Sequence, residues 1–218
     1  MARAERAKYR KNDPAGMRKR VIDAAACAFQ AQGYGATSMH DVVRAAAVTG
    51  GALYHHFPTK KDLALAVVAE RVSGEIADTW IAAVDGAPSG AEGIVSVFEE
   101  TADALDRQGS VSGCPLGNLA LELSLADDGL RRAVEGEYRA WREAIAARLD
   151  RDERAGRADF VAFDAAGLAD TVVAMFTGAM SIAKARQDAT ALRACARRLR
   201  AMMGLPAAGG KRPNTISN

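Results

Sequence analysis

The chain is poor in the residues that catalysis and extracellular life require. Its 218 residues include three cysteines, Cys27, Cys114 and Cys195. They are odd in number and widely spaced, which excludes a disulfide framework and fits reduced cytoplasmic thiols. The three histidines, His40, His55 and His56, all lie in the first 56 residues, so a nucleophilic Cys114 would lack a nearby base in sequence. There is no glycine-rich phosphate loop, nucleophile elbow or metal-ligand cluster. No enzyme, metal or cofactor is expected. Aromatic residues make up only 6% of a chain that is 49% hydrophobic, and alanine and leucine supply much of the rest. That balance favours helices over sheets. No apolar run reaches the length of a membrane span, and the start, MARAERAKYRK, has no apolar signal core. A cytoplasmic, all-α protein without membrane association is the expectation.

What is present is unevenly distributed. Residues 1–62 hold eleven Lys/Arg and five Asp/Glu, a balance of +6, against −4 for residues 63–218. A basic head on a mildly acidic body suits a phosphate-binding module attached to something else. The expected division is a flexible basic arm (1–16), a three-helix head (17–62), a larger helical body (63–204) and a disordered tail (205–218).

The head carries the most informative stretch, TSMHDVVRAAAVTGGALYHHFPTKKDL (37–63). Ser38 is a good N-cap, followed by Met39, Val42 and Val43 on one helical face. Val48 packs into a turn, and Thr49 caps a second helix whose Leu53 and Phe57 share a face. Pro58 closes that helix, and Thr59 caps the next. Helix, short turn, helix is the unit that sets its second helix in a major groove. Thr49, Tyr54, His55 and His56 face outward with groups that reach phosphates or base edges. Gly50 and Gly51 keep the helix start thin enough for its N–H groups to approach a phosphate. Lys60 adds a charge at the far side. The adjacent His55 and His56 point about 100° apart, which argues against a shared metal. Upstream, a helix from Met17 to Gln32 supplies Ile22, Ala25 and Phe29 to the head's core, and Cys27 reads as a small core residue.

AVTGGALYHHFPTKKDL resembles the recognition helix of TetR/AcrR-family transcriptional regulators, and the run from Val21 to Gly33 fits the same pattern. The resemblance covers roughly residues 17–63. It implies a dimeric, effector-released repressor on a palindromic operator, with Ser38, Thr49, Gly50, Gly51, Tyr54, His55 and Lys60 as the DNA-facing set. Gly50 stands where many members carry a base-reading side chain, which shifts the expected readout toward Tyr54 and His55.

The body reads as a long helix from Lys60 to about Val84, then helices over 91–107, about 115–125, about 129–151, 164–185 and 191–203. RDERAGRAD (151–159) reads as a loop. Trp80, Phe98, Leu116, Asn118, Glu122, Tyr138, Trp141 and Phe176 combine apolar surface with a few polar groups, as an effector cavity requires. The same residues equally suit a filled core. The 164–203 helices are apolar over a wide arc and rich in small residues, which fits either monomer core or, as the resemblance implies, a homodimer four-helix bundle. Pro115 marks a helix start with Cys114 as its N-cap, where free N–H groups and the helix dipole favour a thiolate. SGCPLGNLALEL is similar to a segment of a TetR subgroup that includes regulators of electrophile detoxification, which implies a sensing role for Cys114.

Overall fold

The computed structural model describes residues 13–157 and 164–206. The arm before Asp13 and the tail after Pro206 lie outside the described residues, as do the last two positions of RDERAGRAD. Among the described residues every regular element is helical. The helices are α1 (Pro14–Gln32), α2 (Met39–Ala46), α3 (Gly50–His56), α4 (60–86), α5 (Gly90–Gln108), α6 (Pro115–Leu123), α7 (Asp128–Arg154), α8 (Ala165–Arg186) and α9 (Thr190–Met202).

Two compact units divide these elements. The first comprises the residues up to Gly74 together with Asn118–Glu135, and the second Glu75–Gly117 together with the residues from Gly136 onward. Helices α1 to α3 lie in the first unit, which also takes in the first half of α4, most of α6 and the start of α7.

In the first unit, caps set the boundaries. Asp13 accepts from the Gly16 N–H at 2.9 Å, and Pro14 occupies the first helical position. Helix α1 therefore starts three residues earlier than the apolar pattern alone suggests. It buries Val21, Ile22, Ala25 and Phe29, and Gly33 ends it with φ of 90°. A reciprocal capping box joins Ser38 and Asp41 at the start of α2, and Thr59 and Asp62 form another at the start of α4. Helix α2 ends at Ala47 in the left-handed region, φ 52°, and three residues separate it from α3. Leu53 and Phe57 anchor α3 in the core, at 0% and 2% exposure.

Cys27 is exposed, contrary to its expected place in the core. Ala25 and Phe29 are four residues apart on the buried face, which puts Cys27, two residues from each, on the opposite side of α1. There it lines a shallow hollow of about 570 Å³ with Ala24, Ala28, Ala45 and Ala46, rimmed by Arg20 and Asp23.

The second unit is built from long helices. Helix α4 contains two π-helical stretches, Val67–Val72 in the first unit and Ala77–Ile81 in the second. Helix α5 meets the end of α4 at Gly93, where a Cβ would lie 2.7 Å from the Val84 Cα. Only glycine allows that approach. Helix α7 runs on to Arg154, past the expected loop at 151. Its last turns carry the i,i+4 pairs Arg148–Asp152 and Arg154–Asp150, and Gly156 with φ of 64° then ends it. Gln187 holds the loop before α6 from both sides. It accepts from the Val111 N–H at 3.1 Å and donates to the Val111 carbonyl at 3.0 Å.

Helix α8 is long and apolar enough to cross a bilayer by length and composition, unlike the expectation from the sequence. It holds seven alanines and seven larger apolar residues, of which one is leucine. One side, with Leu168, Val172, Val173, Phe176 and Met180, is buried within the second unit.

Candidate nucleic-acid interface and buried aromatic cluster

Two constellations stand out, one on the surface of the first unit and one inside the second. On the first, α3 presents Thr49, Gly51, Tyr54 and His55 to solvent while Leu53 and Phe57 hold it from behind. Tyr54 is 53% exposed, which is unusual for so large a ring. A Cβ at Gly50 or Gly51 would meet nothing within 4 Å. The fold itself therefore does not require these glycines, and the empty space lies where an outside molecule can approach. Thr49 caps α3 by accepting from the Ala52 N–H at 3.2 Å. Ser38 is exposed, and its hydroxyl serves the α2 capping box, accepting from the Asp41 N–H at 3.1 Å. The His55 and His56 rings meet edge to face at 5.3 Å, and no metal-binding group of three His, Cys, Asp or Glu occurs among the described residues.

Lys60 does not point freely outward. Its ammonium sits 4.2 Å over the Tyr34 ring and donates to the Gly35 carbonyl at 3.3 Å. Burial lowers its pKa, and the Glu122 carboxylate works against that shift. Glu122 also accepts from the Gly35 N–H at 2.9 Å, and a Cβ at Gly33 would crowd its carboxylate. The turn between α1 and α2 is thus held by Lys60 and Glu122 together.

This placement revises the expected effector set. Asn118 donates to Gln30 at 3.0 Å, and both Asn118 and Glu122 belong to the first unit rather than to the aromatic group. Both are polar and lie one helical turn apart on α6, so they follow that helix's outer face into the first unit. Tyr34 and Gln30 escaped the sequence reading because their partners, Lys60 and Asn118, are 26 and 88 positions distant.

The remaining residues do come together. Trp80 meets Phe176 at 4.8 Å, Trp141 at 5.0 Å and Phe98 at 5.8 Å, all near edge-to-face. Phe98 and Phe176 are 5.2 Å apart, and Tyr138 stacks 6.4 Å from Trp141. Leu116 is buried as well. The rings pack against one another at these distances and angles. Their polar edges are less well served: the indole N–H groups of Trp80 and Trp141 are buried without an acceptor, and Thr177 Oγ1 completes no well-aligned hydrogen bond.

Cys114 caps α6 as expected, its sulfur accepting from the Gly117 N–H at 3.5 Å. The expected thiolate does not follow. The residue is 6% exposed, and burial pushes its thiol pKa up. The N–H groups of Gly117 and Leu116 oppose burial without overcoming it, and the Glu75 charge adds to the rise. Burial likewise raises Tyr138, with Cys114 reinforcing the shift and the Thr177 hydroxyl opposing it.

Comparison with known proteins finds two family profiles along the chain. The profile described as bacterial regulatory proteins, tetR family, matches residues 21–67. The profile described as transcriptional regulator LmrA/YxaF-like, C-terminal domain, matches residues 90–198. The chain is 28% identical to the uncharacterised HTH-type transcriptional regulator YxaF of Bacillus subtilis, over 80% of this chain and 88% of that one. It is 34% identical to the HTH-type transcriptional regulator LmrA of the same organism, over 57% of this chain and 66% of that one. Among solved structures, the regulatory protein TetR from Rhodobacter sphaeroides superposes with a TM-score of 0.76 at 25% identity, covering 84% of this chain and 97% of that one.

Proposed function

The chain belongs to the TetR family of transcriptional regulators, and from that premise we propose that it is a dimeric repressor, released from a near-palindromic operator by a small molecule bound in its body. The observation that carries the DNA contact is the outer face of α3. There Tyr54 and His55 are exposed, and none of the described residues occupies the space beside Gly50 and Gly51. In this reading Thr49, Tyr54 and His55 reach the major groove, and Ser38 and the thin start of α3 approach phosphates. Lys60 contributes charge while it holds the turn at Gly35.

The homodimer reading rests on α8 and α9. Only 44% of the most apolar 18-residue window of α8 is buried. Ala174, Gly178 and Ile182 form an exposed row at i,i+4 spacing, with Met202 exposed on α9. A second copy packed on that row buries it and pairs the two heads on successive major grooves. The enclosure of Cys114 favours a reversible apolar effector over covalent sensing. A cytoplasmic, membrane-free protein accompanies this reading.

Titrating the chain against its own upstream region tests it. Affinity should fall steeply with salt, by about 0.9 log unit per log unit of salt for each phosphate contact. Lys60→Ala should weaken binding to all sequences alike and lower the slope by about one contact per half-site. Tight binding indifferent to salt would overturn the DNA reading. Glu122→Ala, which frees the Gly33–Gly35 turn, should lower operator affinity roughly 3- to 10-fold with the salt slope unchanged. A slope that drops as it does for Lys60→Ala would place Glu122 in a charge role instead.

A further inference from the structure

Both tryptophans of the chain, Trp80 and Trp141, sit in the aromatic cluster with their rings 5.0 Å apart. Both are within 2% of complete burial, and both indole N–H groups lack an acceptor. Buried donors are normally paired, because an unmade hydrogen bond forfeits the water each group gave up. Unpaired polar atoms gathered among packed aromatic rings mark a place where a polar atom of another molecule is missing.

The chemistry of the groups specifies that molecule. An indole offers a donor and no acceptor, so the ligand must supply acceptors. Rings meeting edge to face accept apolar, ring-bearing surface. The side chains that meet in the cluster are uncharged, the nearby Arg142 is engaged by Asp170 and the Tyr138 carbonyl, and the acidic Glu75 acts on the adjoining Cys114. A carboxylate would enter without a counter-charge and against that field.

We propose that the cluster is the recognition site for a neutral, largely apolar ring compound bearing a carbonyl-type oxygen, which takes the N–H groups of Trp80 and Trp141. This rests on the reading of the body as the effector-binding unit and adds the ligand's class. Entry requires the rings to part, and the ligand is selected because it satisfies donors that the closed cluster leaves unmet. That difference is what lets a ligand shift an equilibrium between two arrangements.

The test uses the full chain and three probes of one shape: 1-indanone, indane and indane-1-carboxylate. Because the chain has only these two tryptophans, its intrinsic fluorescence reports the site directly. Indanone should bind at least about 10-fold more tightly than indane, as one or two added hydrogen bonds imply, and the carboxylate more weakly than indanone. Trp80→Phe and Trp141→Phe keep a ring, leave one fluorophore and drop one N–H, so each should cut the indanone preference roughly 3- to 10-fold. Nitrogen-15 spectra of the unaltered protein provide a second readout: both indole N–H signals should move on adding indanone and hold nearly still with indane. Equal affinities for indanone and indane, binding of neither, an undiminished preference in both variants, or a carboxylate that binds as well as the ketone would each overturn the proposal. The effector reading fails by a different result: indanone that binds with its preference over indane intact, yet leaves the operator complex unchanged, keeps the acceptor site and removes its effector role. If operator-bound protein is released equally by indanone and indane, the effector site stands and the acceptor requirement falls.

Discussion

Replacing Arg148 by alanine should lower the stability of the chain by about 3–5 kcal/mol, the range seen when one partner of a buried ion pair is removed. Arg148 is 6% exposed and Asp152 is 1% exposed. The guanidinium donates to the carbonyls of Val84 at 2.6 Å, Asp85 at 2.7 Å and Ala87 at 2.9 Å, and to Asp152 at 3.0 Å. Those carbonyls lie at and just beyond the end of α4, where helical partners run out. Asp152 in turn accepts from the Gly90 N–H at 2.5 Å and from Arg157 at 2.8 and 3.0 Å. One side chain therefore closes α4, positions the turn into α5 and pairs the acid that caps it. Lysine should not substitute, since a point charge lacks the planar fork that reaches several acceptors at once.

The pH dependence provides a second check. Burial works to raise the Asp152 pKa, but the Gly90 N–H, Arg157 and Arg148 together hold it below the ordinary carboxylate value. A lowered folded-state pKa gives stability that is full above the unfolded value of about 3.9 and is lost as pH falls through the folded one. The gap in melting temperature between wild type and Arg148→Ala should thus be full at neutral pH and narrow in acid. Exposed pairs give the contrast: breaking Arg18–Glu70, whose side chains are 38% and 46% exposed, should cost at most about 1 kcal/mol. A neutral-pH loss below that figure for Arg148→Ala would show that the clamp is dispensable.

The sequence made the head legible because its signals are local. Ser38 and Asp41, Thr49, and Thr59 and Asp62 lie within one turn of the boundaries they set, and Leu53 and Phe57 announce the buried face of α3 by spacing alone. The division of helices was legible for the same reason, with errors at α1 and α7, where Pro14 and a run of paired charges extended what apolar periodicity could see. Cys27 was misplaced although its own spacing carried the answer: the buried set is 21, 22, 25 and 29, and 27 lies across the helix. What sequence could not reveal is long-range. Glu122 and Gly35 are 87 positions apart, so nothing in α6 shows that its polar residues belong with the head. The aromatic residues were recognisable as a group, but the unmet indole donors appear only once the rings have been packed.

Cys114 is where a local signal and a global one conflict, and its reactivity should reveal which prevails. Treated with N-ethylmaleimide at neutral pH, the native chain should be labelled first at exposed Cys27, next at half-buried Cys195, and at Cys114 roughly 100-fold more slowly than at Cys27. A local opening that costs about 3 kcal/mol gives that factor. The helix start offers Cys114 two N–H groups, yet burial outweighs them and keeps the sulfur protonated, and the thiolate is the nucleophile. Because the thiol is raised, its labelling should accelerate as pH climbs into the alkaline range. In denaturant the three cysteines should react at similar rates, which shows that the protection comes from the fold. Peptide mass spectrometry over a time course reads all three sites at once. Following operator binding in the same samples ties the chemistry to function: Cys114→Ser should release DNA as wild type does when challenged with a reversible effector. If Cys114 is instead labelled as fast as Cys27 and its modification alone frees the operator, covalent sensing replaces the reversible-ligand account.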